Sequence, residues 1–80
     1  MITGAEIRSG RQLLGWTVKK LALRAGLRPE TIERAEKVQG EPEMTIANLS
    51  AIVSALEAAG VEFIQIGGTR EVHLHKPKSP

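Results

Sequence analysis

Apolar residues recur at intervals of three and four along four segments of the first sixty residues, a spacing that predicts four helices. Thr3 and Glu6 form the pattern of a capping box at the start of the first helix, and Thr17 and Thr45 can cap the second and the fourth. Pro29 suits the first turn of the third helix, where its missing N–H is not needed. Three glycines mark the predicted helix ends: Gly15, Gly26 and Gly60. The side chains predicted to face the core are Ile7, Leu13, Leu14, Leu21, Ala22, Ala25, Ile32, Ala35, Ile46, Leu49, Ile52, Val53, Leu56 and Ala59.

The apolar period changes from helical spacing to alternation after Gly60. Residues 61–66 and 71–75 predict two short strands around a turn at residues 67–70, which together form a hairpin. Both faces of the first strand are apolar, and four short helices can cover only one of them. We therefore expect a second copy of the chain to cover the other face, in a homodimer whose interface comprises Phe63, Ile64, Ile66, Val72 and Leu74.

These elements predict a mainly α fold in a single small domain. Residues 1–60 form a compact helical bundle, and residues 61–75 form a short C-terminal β-hairpin that serves as the dimerisation element. Residues 76–80 are polar, contain proline, and are expected to be a disordered tail.

The amino-acid composition excludes several classes of function. The 80 residues include neither Cys nor Asp, so a disulfide scaffold, a cysteine-ligated zinc site and a thiol nucleophile are all excluded. His73 and His75 share one face of a strand, but a zinc site needs further ligands, so no metal site is predicted. The histidines, hydroxyl residues and glutamates fall on separate elements, so we predict no enzyme, no cofactor and no small-molecule substrate. No apolar run has the length of a membrane span, and no signal core precedes the first helix, which favours a cytoplasmic protein.

The charge is distributed unevenly, although the net charge is only +2. Residues 1–28 carry six bases against one acid (+5), and residues 29–62 carry two bases against seven acids (−5). Residues 63–80 carry three bases against one acid (+2). A basic segment next to an acidic one predicts a polar partner surface, of which a nucleic-acid backbone is one candidate.

The second and third predicted helices have the spacing of a helix-turn-helix. Ala22 is small where the two helices would cross closely, and Gly26 permits the chain to reverse. Leu21, Leu27 and Ile32 supply apolar anchors on the buried sides. Each feature alone is a weak signal, but their combination at this spacing is fairly specific.

The chain resembles the phage-repressor-like (lambda-repressor-like, Cro/CI or XRE type) helix-turn-helix family between about residues 7 and 63. That resemblance implies a compact bundle of about five helices, with the fifth replaced or followed here by the hairpin. It also implies a transcriptional regulator that binds double-stranded operator DNA, usually as a dimer, and performs no chemistry. The resemblance is carried by residues 11–17 (RQLLGWT), by Leu21-Ala22 with Ala25-Gly26-Leu27, by residues 31–36 (TIERAE) and by residues 56–63 (LEAAGVEF).

The resemblance also implies roles for single residues. Residues 29–37 would lie in the major groove, with Arg34 the best candidate to read guanine and Glu33 able to accept from cytosine. Arg11 and Glu36 match a structural ion pair between the first and third helices, and Trp16 matches a core residue. The complete set of predicted DNA-binding residues is Thr17, Lys19, Arg28, Pro29, Glu30, Glu33, Arg34 and Lys37.

The chain departs from the family pattern at several positions, and the acidic ones, Glu30, Glu41 and Glu43, motivate an alternative. Val18 stands where the family usually has Gln, and Arg28 stands where it usually has a Ser or Thr cap. The loop after the third helix carries Glu41 and Glu43 instead of bases, and carboxylates near phosphate oppose DNA affinity. The alternative is a protein-interaction module on the same fold, an antitoxin-like or regulatory partner with weak or no DNA binding.

Overall fold

The computed structural model describes residues 2–75, and the predicted tail at residues 76–80 lies outside the described part of the chain. Four helices precede an antiparallel two-stranded hairpin, which confirms the predicted order of elements. None of the helices among residues 2–75 combines the length and the apolar character needed to cross a membrane. The elements are α1 (Gly4–Leu13), α2 (Val18–Ala25), α3 (Pro29–Lys37), α4 (Ile46–Ala58), β1 (Val61–Ile66) and β2 (Thr69–Leu74).

Three threonines cap helices as the sequence predicts. At α1 the Thr3 Oγ1 accepts from the Glu6 backbone N–H at 3.1 Å, and the Glu6 Oε1 accepts from the Thr3 N–H at 2.7 Å, which completes the capping box. The Thr17 and Thr45 hydroxyls accept backbone N–H groups in the first turns of α2 and α4, each at 3.1 Å. Local side-chain hydrogen bonds therefore fix where three of the four helices begin.

The chain reverses between α2 and α3 within residues 26–28. Gly26 adopts left-handed backbone angles (φ 70°, ψ 32°), which side chains with a Cβ disfavour. Its N–H donates to the Leu23 carbonyl, and the Leu27 N–H donates to the Ala22 carbonyl at 2.9 Å. These two bonds form a Schellman motif, so the end of α2 and the direction of the turn are both fixed by the backbone.

The core lies between the four helices and the near face of the hairpin. Five of its six largest fully buried side chains, Ile7, Leu21, Ile32, Ile52 and Leu56, belong to the predicted core set, and the sixth is Val61 at the start of β1. Ala22, the small residue of α2, is buried in this core. The remaining buried apolar residues of the core cluster are Ile2, Ala35 and Leu49.

The prediction that Leu13 and Ile46 belong to the core was wrong. Leu13 is 44% exposed because the buried stripe of α1 runs through Ile7 and Gly10, and Leu13 lies off that stripe. Ile46 is 76% exposed because it is the first residue of α4, where the helix begins outside the region that its neighbours cover. Helical spacing identifies a face of a helix, but it does not show how far along the helix that face is covered.

The hairpin is tighter than the sequence predicts. Ile66 pairs with Thr69, so Gly67 and Gly68 alone form the turn, and β2 begins at Thr69 and not at residue 71. Gly67 has a positive φ of 60° and Gly68 does not, as in a type II′ turn with glycine in its first central position. This turn matches the twist of the strands, which lets pairing extend to the residues next to it.

The two faces of the hairpin have different surroundings. Phe63 and Val72 are cross-strand partners and pack against the core of their own bundle. This contact with their own bundle leaves both side chains half-buried, and their place in a dimer interface stays a prediction. Ile64 and Ile66 lie on the outward face, where Ile66 is 53% exposed, and Leu74 at the end of β2 is 41% exposed. Of the predicted interface, Ile66 and Leu74 are exposed, whereas Phe63, Ile64 and Val72 are each half-buried.

An ion pair fixes the hairpin to α1. The Arg70 guanidinium lies 3.0 Å from the Glu6 carboxylate, which also closes the capping box of α1. Burial raises the pKa of the Glu6 carboxyl group, but hydrogen bonds from the Thr3 backbone and from Arg70 outweigh that effect, so the pKa lies below its ordinary value. One carboxylate thus stabilises the start of the first helix and the position of the last strand.

Candidate nucleic-acid interface

The pair formed by α2 and α3 is held against α1 by Arg11 and Glu36. The Arg11 Nε and Nη2 donate to the two Glu36 carboxylate oxygens at 2.7 and 2.8 Å, and Nη1 donates to the Trp16 carbonyl at 3.0 Å. The hydrogen bonds to Glu36 raise the pKa of the Arg11 guanidinium more than burial lowers it. The Glu36 side chain is only 7% exposed and its charge is compensated. It therefore adds no uncompensated negative charge to the outer surface of α3.

The outer face of α3 brings together most of the predicted base-reading residues. Glu30, Glu33, Arg34 and Lys37 are all exposed, and their spacing of three and four places them on one side of the helix. The opposite side carries the buried residues of α3. Pro29 is half-buried at the first helical position, so of the predicted set it is the residue least available to a partner.

The predicted phosphate-contacting residues lie at the starts of the same two helices. Thr17 and Lys19 are exposed at the beginning of α2, whose first turn contains no acidic residue. Arg28 is exposed at the N-cap of α3 and forms no side-chain capping bond. Pro29 has no N–H and the Thr31 N–H donates to the Arg28 carbonyl at 3.0 Å, so among the first three residues of the helix only Glu30 has an N–H left for an external partner. Helix starts with free N–H groups and nearby bases attract anions, including phosphate.

The internal ion pairs leave the bases around α3 unneutralised. Within residues 2–75, no ion pair engages Lys19, Arg28, Arg34 or Lys37. The carboxylates on the outer face of α3 are those of Glu30 and Glu33 alone. Four other carboxylates, those of Glu6, Glu36, Glu62 and Glu71, each form an ion pair with an Arg or a His of the chain.

Two grooves flank α3. The first lies where α1, the start of α2 and α3 meet, and is lined by Arg8, Val18, Glu33 and Lys37 among others. The second lies between α3, the following loop and the start of α4, and its lining includes Arg34 together with Glu41 and Glu43. The first groove thus adds Arg8 to the bases beside α3. The second places Glu41 and Glu43 beside Arg34, the best candidate for base readout.

Trp16 is surrounded by cations that sequence reasoning missed. The Lys20 ammonium lies 5.5 Å and the Arg24 guanidinium 5.6 Å from the centre of the indole ring, both within the range of a cation–π contact. Trp16 is half-buried and packs against the core cluster. This geometry favours the packing role of Trp16 over base stacking. The spacing of four along residues 16, 20 and 24 is the signal that could have revealed the contact.

The two histidines occupy the outward face of the hairpin, away from α3. The His73 Nε2 lies 2.7 Å from Glu71, and the His75 Nε2 lies 2.9 Å from Glu62. Within the part of the chain that the structure describes, no three His or Glu side chains come together in a group that could hold a metal ion.

A scan against protein-family models and a search of curated proteins each returned no match.

Proposed function

We propose that this protein is a sequence-specific DNA-binding transcriptional regulator of the phage-repressor-like type, acting as a homodimer and without chemistry. Under this proposal α2 and α3 form a helix-turn-helix, and α3 enters the major groove. The observation that carries the proposal is the outer face of α3. Four exposed polar residues lie on one side of a helix that the core and the Arg11–Glu36 pair hold rigidly.

The dimensions and chemistry of that face suit DNA. An α-helix with its side chains is about 10–12 Å wide, and the major groove is about 12 Å wide. Arg34 can donate to guanine O6 and N7 together, and Glu33 can accept from a cytosine amino group. Lys19, Arg28 and Lys37 lie around this face and can contact the phosphates that set the register of the helix in the groove.

The acidic composition of α3 is compatible with this role. Of its three glutamates, Glu36 is buried against Arg11, which leaves Glu30 and Glu33 exposed. Four unpaired bases (Lys19, Arg28, Arg34 and Lys37) oppose those two charges. These four bases outnumber the exposed carboxylates of α3 itself, and they equal them once Glu41 and Glu43 of the following loop are counted.

The proposal predicts different consequences for two substitutions that remove the same charge. Arg34→Ala should weaken binding to a selected duplex by about 1–3 kcal/mol and relax the base preference at one position of each half-site, because it removes a base contact. Lys19→Ala should weaken binding to all sequences alike and reduce the slope of log affinity against log salt by about one per subunit. The measurement is selection from a random duplex pool, followed by salt-dependent titration of the enriched sequence.

Arg24→Ala is the matched control, since it removes one positive charge at a side chain held beside Trp16. It should leave the base preference unchanged. If Arg34→Ala selects the same sequences as the unaltered protein, with no loss of discrimination, then α3 does not read bases through Arg34.

A protein-interaction module is the second candidate function, and one observation favours it. The groove beside α3 combines Arg34 with the acidic loop residues Glu41 and Glu43, which is a mixed surface that suits a polypeptide better than a phosphate backbone. Under this alternative the folded protein binds duplex DNA weakly or not at all, even at low salt. Glu43→Lys would then weaken binding of the protein partner, whereas under the main proposal it should strengthen DNA binding.

A further inference from the structure

Helix α2 presents a large apolar side chain to solvent. Leu23 is 80% exposed, which is the highest exposure among the large apolar residues that the structure describes. The opposite side of the helix carries the buried residues Leu21 and Ala22. The Leu23 side chain therefore adds little to the core of its own domain, and its apolar surface is open to another molecule.

The charged residues of α2 are all basic. Lys20 and Arg24 are exposed, and they lie on the same side of the helix as Leu23 because residues three or four apart are neighbours. No ion pair within residues 2–75 engages either base. An exposed leucine alone is an ordinary surface feature. A leucine beside two uncompensated cations is a surface with a definite chemistry.

Trp16 holds both cations next to Leu23. The Lys20 ammonium and the Arg24 guanidinium lie 5.5 and 5.6 Å from the centre of the indole ring, which itself packs against the core cluster. These cation–π contacts order two long side chains before any partner binds, so less conformational entropy is lost on binding. Lys20, Leu23 and Arg24 thus form a preorganised surface, which we call the α2 patch.

The chemistry of the α2 patch indicates the kind of partner that fits it. Carboxylates bind Lys and Arg through charge-assisted hydrogen bonds, and an apolar side chain between them would cover Leu23. A phosphate backbone would contact the two bases and leave Leu23 in water. A lipid surface would require an apolar face along the whole helix, whereas the other apolar residues of α2 are turned toward the core.

We propose that the α2 patch binds a short acidic segment of another protein, in which Glu or Asp residues flank a bulky apolar side chain. The apolar side chain packs on Leu23, and the carboxylates pair with Lys20 and Arg24. The patch contains none of the predicted DNA-binding residues, so this interaction does not depend on DNA binding.

The fluorescence of Trp16 reports on the patch, because it is the only tryptophan of the chain and contacts both cations. The probe is a synthetic peptide in which glutamates flank leucines, titrated into the full chain at low salt without DNA. We expect a saturable change in emission with a Kd of about 100 micromolar, which weakens as salt screens the charges. The same peptide with alanine in place of leucine should bind about tenfold more weakly, because it buries less apolar surface.

Substitutions in the patch test each contact. Leu23→Ala should bind the peptide about tenfold more weakly, and Lys20→Ala about threefold more weakly. Both side chains are exposed, so each variant should fold. Ile46→Ala is the matched control, because Ile46 is 76% exposed on a helix without a basic residue, and it should bind like the unaltered chain. If Leu23→Ala binds the peptide as tightly as Ile46→Ala, the proposal is wrong.

Other occupants of the patch would give different results. Vesicles of phosphatidylserine and phosphatidylcholine that bind the unaltered chain but not Leu23→Ala, while the peptide does not bind, would identify a lipid surface. Sedimentation that finds dimers of the unaltered chain but not of Leu23→Ala would identify a second copy. Either result would overturn the proposal, as would unchanged Trp16 emission up to about 1 millimolar peptide.

Discussion

Replacing Arg11 with alanine is expected to lower the free energy of unfolding by about 3 kcal/mol, because it leaves a buried carboxylate without a partner. Glu36 accepts two hydrogen bonds from Arg11 and has almost no access to water. Arg11 also donates to the Trp16 carbonyl, so the substitution releases the segment that leads into α2. For a chain of this size, with a total stability of about 4–12 kcal/mol, such a loss is a large fraction.

Urea unfolding followed by circular dichroism measures the effect. The control is Arg24→Ala, which removes an arginine from the face of Trp16 and should cost about 1 kcal/mol or less. The double variant Arg11→Met with Glu36→Met should recover most of the loss, since an apolar pair leaves no charge buried. A single Arg11→Ala variant as stable as the Arg24→Ala variant would show that the pair does not hold α1 to α3.

Replacing Gly4 with alanine is expected to cost about 3 kcal/mol, although alanine is the better helix former. A Cβ at Gly4 would overlap the backbone carbonyl oxygens of Ala35 and Val38, where the start of α1 meets the end of α3. Neither carbonyl is the flexible end of a side chain, so the two helices must separate to make room. Helix propensity alone would favour the alanine by about 1 kcal/mol, so the sign of the change decides between the two effects.

The matched control for this substitution is Gly40→Ala. A Cβ at Gly40 meets nothing within 4 Å, and its φ is not positive, so the change should fall within about 0.5 kcal/mol of zero. Both variants are compared with the unaltered chain by thermal and urea unfolding. A Gly4→Ala variant of equal or greater stability would mean that α1 and α3 do not approach as closely as the structure places them.

The parts of the fold that local chemistry determines could be predicted from the sequence. Thr3, Thr17 and Thr45 each cap a helix through a residue three positions away, and Gly26 ends α2 through its own backbone angles. The exposed side of α3 also follows from a local signal, since the spacing of Ile32 and Ala35 determines which side is buried. These signals lie within one or two turns of the chain, so residue type and periodicity together identify them.

Contacts between distant segments could not be predicted in this way. The ion pair of Glu6 with Arg70 joins residues 64 positions apart, and the close approach of Gly4 to α3 depends on how two helices cross. The exposure of Ile46 depends on where the neighbouring elements end. The hairpin shows the same limit: alternation separates its two faces, but only packing shows that Phe63 and Val72 face their own bundle.

The candidate site combines both kinds of information. The sequence predicts α3 and its exposed polar face, whereas the pairing of Arg11 with Glu36 was expected only because the chain resembles a known family. That pairing changes the electrostatics, because it removes Glu36 from the surface and leaves Glu30 and Glu33 as the exposed carboxylates of α3.

Salt-dependent binding of the unaltered protein to a pool of random duplex DNA tests the central claim most directly. If Lys19, Arg28 and Lys37 of two subunits contact phosphate, log affinity should fall linearly with log salt with a slope of about −5. Circular dichroism under the same conditions verifies that the protein is folded. Binding at low salt with a slope near this value is the result that the account predicts. A folded protein that binds no duplex at low salt would contradict it.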